Sequence, residues 1–241
     1  MSPAAYDFRL NPRPTVSLQR LGQEQEPVLL VDNVLLDAAG LIDYATWEVA
    51  FTPACNPDGG YPGLRAPAPL NYVENVVRAL SPIVERAFGL GGVALSNVEC
   101  SLSLTTTPPT ALTVQQRTPH IDTTYPLQFA WLHYLCPPGH GGTSFYRHRA
   151  TGFETLDDAQ APVYDAVRAR ELAERAPPLR YADAGSDRYE AIGSCAATFN
   201  RLAIYRSCLL HSGDIPDGVP LIADPRRGRL TANIFVNYRR C

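Results

Sequence analysis

Residues 93–107 read VALSNVECSLSLTTT and follow the pair Gly91-Gly92. Val98, Cys100, Leu102 and Leu104 alternate there with Glu99, Ser101, Ser103 and Thr105. A period of two predicts a strand with one buried face. The same β-prone texture returns at 128–136 (QFAWLHYLC), 144–147, 197–211 and 229–238. Upstream of Gly91 the period changes. Val73, Val76, Val77, Leu80, Ile83, Val84 and Ala87 fall at helical spacing over 70–88, and Ser81-Pro82 is expected to split that helix, with Ser81 as the cap. Residues 27–31 (PVLLV) predict a short strand, after which Asp32 or Asn33 caps a helix reaching about Phe51. The Pro- and Gly-rich stretch 52–68 (TPACNPDGGYPGLRAPA) predicts a long loop, either a surface excursion or a functional one. Residues 157–176 predict a helix on an excursion. Helices first and many short strands afterwards predict an α+β fold, with a sandwich or jelly roll in the strand region. The expected organisation is one domain over residues 1–241: an N-terminal strand and helices at 1–92, then the strand region at 93–238 with a helical insertion at about 150–190.

Composition narrows the chemistry. All 21 basic residues are Arg, and there is no Lys. A GC-biased genome produces that replacement, but its chemical consequence holds regardless. A Schiff base with a carbonyl substrate, a P-loop lysine and a lysine general base are all excluded. An anion held by a charged side chain is held by Arg or by protonated His. The net charge of −3 gives no electrostatic footprint for nucleic acid. No apolar run approaches a membrane span, and Met1 to Pro14 lacks the apolar centre of a signal peptide, so a cytoplasmic protein is expected. The six cysteines form no CxxC pair and are read as reduced, mostly buried small hydrophobes.

Three places carry possible chemistry. In His120-Ile121-Asp122 an imidazole and a carboxylate project from one side of an extended segment. Taken alone, the triplet equally suits a surface pair at a turn. His211 ends the apolar run Leu202 to Leu210, where a hydrogen-bonded structural histidine is the alternative. Together, two His and one Asp make the ligand set of a facial triad, which leaves one side of a metal open. The third place is Arg229 to Asn237, where alternation puts Arg229, Thr231 and Asn233 on one face and Leu230, Ala232, Ile234 and Val236 on the other. Arg229 would serve as a bidentate carboxylate clamp and Thr231 would add a hydroxyl. Arg226 and Arg227, in a turn, are its rivals, and plain solvent exposure of that polar face is the alternative.

The order of these features resembles the Fe(II)/2-oxoglutarate-dependent dioxygenases, in their prolyl-4-hydroxylase-like branch. The resemblance rests on His120-x-Asp122, the Gly141-Gly142 turn into an aromatic strand (Thr143 to Tyr146), the distal His211, and Gly228-Arg229 opening the last strand. It covers about residues 93–238. It implies a double-stranded β-helix (jelly-roll) core with the N-terminal helices packed on one sheet. It implies His120, Asp122 and His211 as iron ligands, Arg229 as the partner of the distal 2-oxoglutarate carboxylate, and Tyr134 as a hydrogen-bond donor to the same co-substrate. A core tyrosine with a bonded hydroxyl is the other reading of Tyr134. Arg229 lies 18 positions after His211, more than the family's usual spacing, so an enlarged 212–228 loop is expected. The insertion at 150–190 also departs from the family pattern.

The implied cofactors are Fe(II), 2-oxoglutarate and O₂. The implied outcome is hydroxylation of a C–H bond in a small molecule, amino acid or peptide, with succinate and CO₂ formed alongside. Substrate is expected against the 52–68 loop, Thr123 to Tyr125 and the insertion. Arg65 and Tyr61 in that loop are read as solvated, with holding a carboxylate or a ring as the alternative. A cupin-like metal enzyme that does not use 2-oxoglutarate would keep the triad without needing Arg229. A non-catalytic jelly-roll binding protein would need neither. Zinc hydrolysis lacks an obvious general base here, and the acidic balance disfavours nucleic-acid demethylation.

Overall fold

Alternating residues build most of the frame. The computed structural model describes residues 6–56 and 59–241, with backbone only at Cys55 and Asn56. The expectations for Met1–Ala5, for the Cys55 thiol and for Pro57-Asp58 fall outside the described residues. In chain order the elements are β1 (Thr15–Leu21), β2 (Glu26–Asp32), α1 (Ala39–Trp47), β3 (Thr52–Asn56), β4 (Gly59–Pro67), α2 (Leu70–Ala87) and β5 (Val93–Thr105). After them come β6 (Gln128–Tyr134), β7 (Gly142–His148), α3 (Gln160–Glu174), β8 (Tyr189–Ala196), β9 (Arg201–Arg206), β10 (His211–Asp214) and β11 (Arg229–Arg240). Eight strands form one sheet in the order β1-β2-β9-β6-β11-β5-β4-β3, and three form a second in the order β10-β7-β8. All pairings between these strands are antiparallel. The fold is α+β, as expected.

The large sheet is packed on both faces. On one face Leu102, Leu104, Phe129, Trp131, Leu230 and Ile234 meet Leu41 of α1 and Tyr72, Val76, Leu80 and Val84 of α2. The α2 residues recur every three to four positions, so they form one apolar stripe, and each buried large side chain contributes about 1.5–3 kcal/mol. On the other face Ala130, Tyr134, Ala203 and Tyr205 meet Phe145 and Cys195 of the small sheet. Helices, large sheet and small sheet are therefore three successive layers. Cys136, Cys195 and Cys208 are free and buried, Cys100 is free and half-buried, and Cys241 is exposed.

Several boundaries differ from the sequence reading. The first helix begins at Ala39, not at Asp32 or Asn33, because Asn33 adopts a left-handed φ of 56° that no helix continues. Helix α2 runs unbroken through Ser81-Pro82. Pro82 and Arg78 are both exposed, so the carbonyl that loses its amide partner is on the solvent side of the helix. Residues 52–56 and 59–67 are the paired strands β3 and β4 rather than a loop, and they extend the large sheet beyond β5. Glycine is required there: a Cβ at Gly63 would stand 2.0 Å from the Leu104 carbonyl oxygen. The run 197–211 is not one strand, since β9 ends at Arg206 and His211 opens β10 after a turn. Strand β1 was not anticipated; its side chains are mostly exposed, so it carries little apolar signal.

Candidate active site

The three metal-ligand candidates converge at one end of the small sheet. His211 pairs in register with Phe145 of β7, which fixes its direction. His120 reaches it from the segment after β5: each of the two residues donates its amide to the other's carbonyl, both at 2.9 Å. The Asp122 amide donates to the Ser207 carbonyl at 2.8 Å. Residues 120–122 are thus pinned beside the 207–211 turn, and His120 and Asp122 face His211. The candidate ligand atoms of the three residues all lie within 4.8 Å of one another.

Hydrogen bonding assigns the tautomer. His211 Nδ1–H donates to the Leu209 carbonyl at 2.8 Å, so in the neutral ring it is Nε2 that carries the lone pair. That lone pair lies 3.7 Å from Asp122 Oδ2. Two acceptors held face to face call for a cation or a proton between them. His120 opens on the cavity, yet loss of hydration around its ring, and then the nearby His211, push its pKa down to about 4. It is a neutral imidazole at neutral pH, the form that binds a metal. The donor set of two imidazoles and one carboxylate fits a divalent transition metal with open positions.

A cavity of about 550 Å³ extends from this cluster across the large sheet and includes Arg229 in its wall. Arg229 is 4% exposed. Its Nε–H donates to the His140 carbonyl at 3.1 Å, one terminal nitrogen to the Gly142 carbonyl at 2.8 Å, and the other to Thr105 Oγ1 at 3.5 Å. Among the described residues no carboxylate pairs with it. Such a cation is costly to bury without an anion. The turn that receives it is built of glycine for a steric reason: a Cβ at Gly142 would come within 2.1 Å of the Cys195 carbonyl oxygen. The rivals lie elsewhere. Arg226 pairs with Asp43 at 2.6 Å, and Arg227 is exposed.

Asn233 also lines the cavity, while Thr231 is buried beside it and donates to Asn233 Oδ1 at 2.7 Å. Tyr134 is on the expected face but not at the cavity surface. Its hydroxyl is bonded to Thr143 Oγ1 at 2.6 Å and contacts Cys195 Sγ at 3.3 Å, and its ring lies 5.9 Å from Arg229 Cζ. Burial raises its hydroxyl pKa well above the usual value. It supports the guanidinium from beneath.

The cavity wall also includes residues that the sequence reading placed in solvent or did not name. Tyr61 and Arg65 of β4 line it, with the Tyr61 hydroxyl 2.8 Å from Thr105 Oγ1. Tyr181, which follows α3, and Tyr205 of β9 complete it. Thr124 and Tyr125 are directed elsewhere, to Asp158 and to the Tyr238 carbonyl. The remaining histidines are committed as well. His133 bonds Tyr72 and Asn200, His140 bonds two carbonyls, and His148 bonds Thr151 and Glu171.

No helix among the described residues is long and apolar enough to cross a membrane. No curated protein matches the chain. Among solved structures it is similar to an N-substituted L-amino acid dioxygenase from Burkholderia ambifaria AMMD, at 10% identity over 93% of this chain and 94% of that one, with a TM-score of 0.40. It is also similar to HygX from Streptomyces hygroscopicus with nickel, 2-oxoglutarate and hygromycin B bound, at 12% identity over 89% of this chain and 84% of that one, with a TM-score of 0.45. At these levels the likenesses carry no functional argument. A family model does match, over residues 12–236, and the chain belongs to that family of unknown function, DUF6445.

Proposed function

We propose that this protein is an Fe(II)- and 2-oxoglutarate-dependent oxygenase that hydroxylates a C–H bond of a small-molecule, amino-acid or peptide substrate. The reading extends to one domain with a double-stranded β-helix core, in the prolyl-4-hydroxylase-like branch. One observation carries it. A cluster of two imidazoles and a carboxylate shares a cavity with a buried guanidinium that has no carboxylate partner among the described residues. A metal enzyme that does not use 2-oxoglutarate would keep the triad without needing that cation.

His120, Asp122 and His211 would hold Fe(II) from one side, leaving its other positions toward the cavity. Arg229 would receive the far carboxylate of 2-oxoglutarate, steadied by the ring of Tyr134 and by the carbonyls of His140 and Gly142. Thr231 and Asn233 would add polar contacts beside it. Bound Fe(II), with 2-oxoglutarate and O₂, supplies the oxidising power for C–H hydroxylation, with succinate and CO₂ as by-products. The chain's own part is orientation and exclusion of water, the latter by the Tyr61, Tyr181 and Tyr205 wall.

Anaerobic titration of the apoprotein with Fe(II) and then 2-oxoglutarate tests this. A visible charge-transfer band should appear in the wild type and be absent in His211→Ala and Arg229→Ala. Stoichiometric metal binding without a band would point to a cupin-like enzyme. Absence of stoichiometric metal would point to a binding protein.

A further inference from the structure

The cavity face of the large sheet carries a second cation, Arg65. In register, Arg65 of β4 stands opposite Ser103 of β5, and Ser103 stands opposite Thr231 of β11. Directly opposed residues share a face, so Arg65, Ser103 and Thr231 point the same way as Arg229. Two strand spacings and two residues separate Arg65 from Arg229, about 12 Å at the backbone. The two side chains therefore start from different parts of the wall, with Tyr61 between them: its ring lies under Arg65 and its hydroxyl meets Thr105, which Arg229 also contacts.

The guanidinium of Arg65 makes no ion pair or hydrogen bond among the described residues. It lies over the Tyr61 ring, 5.0 Å from Cζ to the centroid. Its Nε–H is buried without a partner, and so is the Ser103 hydroxyl directly across from it. Buried polar groups in folded proteins are nearly always bonded, so a guanidinium of the cavity wall with an unbonded Nε–H marks a place that a ligand completes; Ser103, fully buried, lies behind that wall. A carboxylate matches that guanidinium, since its two oxygens accept from a guanidinium fork. Glu99, which also borders the cavity, lies four residues from Ser103 along β5, about 13 Å at the backbone, and does not pair with Arg65. Tyr61 is itself fixed by its bond to Thr105, so the cation rests on an ordered ring. The cavity, at about 550 Å³, is in the range of small-ligand sites.

We propose that Arg65 binds a carboxylate of the primary substrate, which makes that substrate a small carboxylic acid. This rests on the oxygenase reading above, with Arg229 reserved for the co-substrate.

The test uses the protein loaded anaerobically with Fe(II) and 2-oxoglutarate. The probes are the free L-amino acids and their N-acetyl derivatives, each compared with its primary amide. One or more free acids should perturb the charge-transfer band and stimulate succinate formation on admission of air, while the matching amide does neither. In Arg65→Gln the affinity for that acid should fall at least tenfold, with the co-substrate affinity changed less than twofold. The retained band also shows that the variant is folded. Equal response to acids and amides, no response to any free acid, or an Arg65→Gln loss in co-substrate affinity would each overturn the assignment. A wild type without the band would instead sink the oxygenase reading and is thereby distinguished.

Discussion

Neighbouring residues of β6 show how differently the two faces of the large sheet treat a buried polar group. His133 points to the helices. Its Nδ1 accepts from the Tyr72 hydroxyl at 2.9 Å and its Nε2–H donates to Asn200 Oδ1 at 3.1 Å, so the neutral ring is bonded to capacity. Tyr134, one residue on, points to the cavity side, where Arg229 lacks a counter-charge and Arg65 Nε and Ser103 Oγ lack partners. His133, buried to hold the fold, is saturated by it, although the Trp131 indole N–H two residues earlier is not. A polar group buried to hold a ligand is left short, and the folded state carries the cost.

The comparison breaks most severely at the triad. Asp122→Ala should weaken Fe(II) binding by at least about 100-fold, as read by competition with a chelator of known affinity. Affinity close to that of the wild type would remove Asp122 from the ligand set. Next comes acid. Burial pushes His133 down to about 4, below the ordinary 6.5, so between those values the unfolded chain binds a proton that the folded chain refuses. Stability from this residue is full above pH 6.5 and is lost as pH falls toward 4, by about 2 kcal/mol between pH 6.5 and 5. Urea unfolding across that range should show a shallower pH slope for His133→Gln than for the wild type; identical slopes would contradict the argument. The smallest change in stability sharpens the contrast. Arg229→Met should leave the melting temperature unchanged or raise it slightly, because it removes an uncompensated charge, while weakening 2-oxoglutarate about 100-fold. A drop of several degrees would mean that Arg229 is saturated by the fold, like His133.

The sequence was most legible where a local pattern sets the structure. In β11, alternation separates Leu230, Ala232, Ile234 and Val236, which join the helix-side core, from Arg229, Thr231 and Asn233 on the cavity side. The His-x-Asp pair and His211 also stood out, because few residue types can hold a metal. Arg65 and Tyr61 did not, because their face is set by the register of β4 against Thr105 and Ser103, some forty residues away. The Pro and Gly content of that hairpin hid its strands, since the signal that predicts a loop is the same one that lets Gly63 approach the Leu104 backbone. For Tyr134 alternation named the correct face, but only the packing of β7 and β8 shows its hydroxyl already taken.

Strand β11 lies between β5 and β6 although it comes last of all the strands. While the chain is being synthesised, the large sheet can exist only as two fragments, β1-β2-β9-β6 and β5-β4-β3. Each fragment has an exposed edge that any passing strand could occupy. Closing the seam joins residues more than a hundred positions apart, which makes it a slow, late step. The same step delivers Arg229. An incomplete chain therefore has neither a joined sheet nor Arg229 in the cavity wall, so the step that covers the exposed edges also completes the candidate anion pocket.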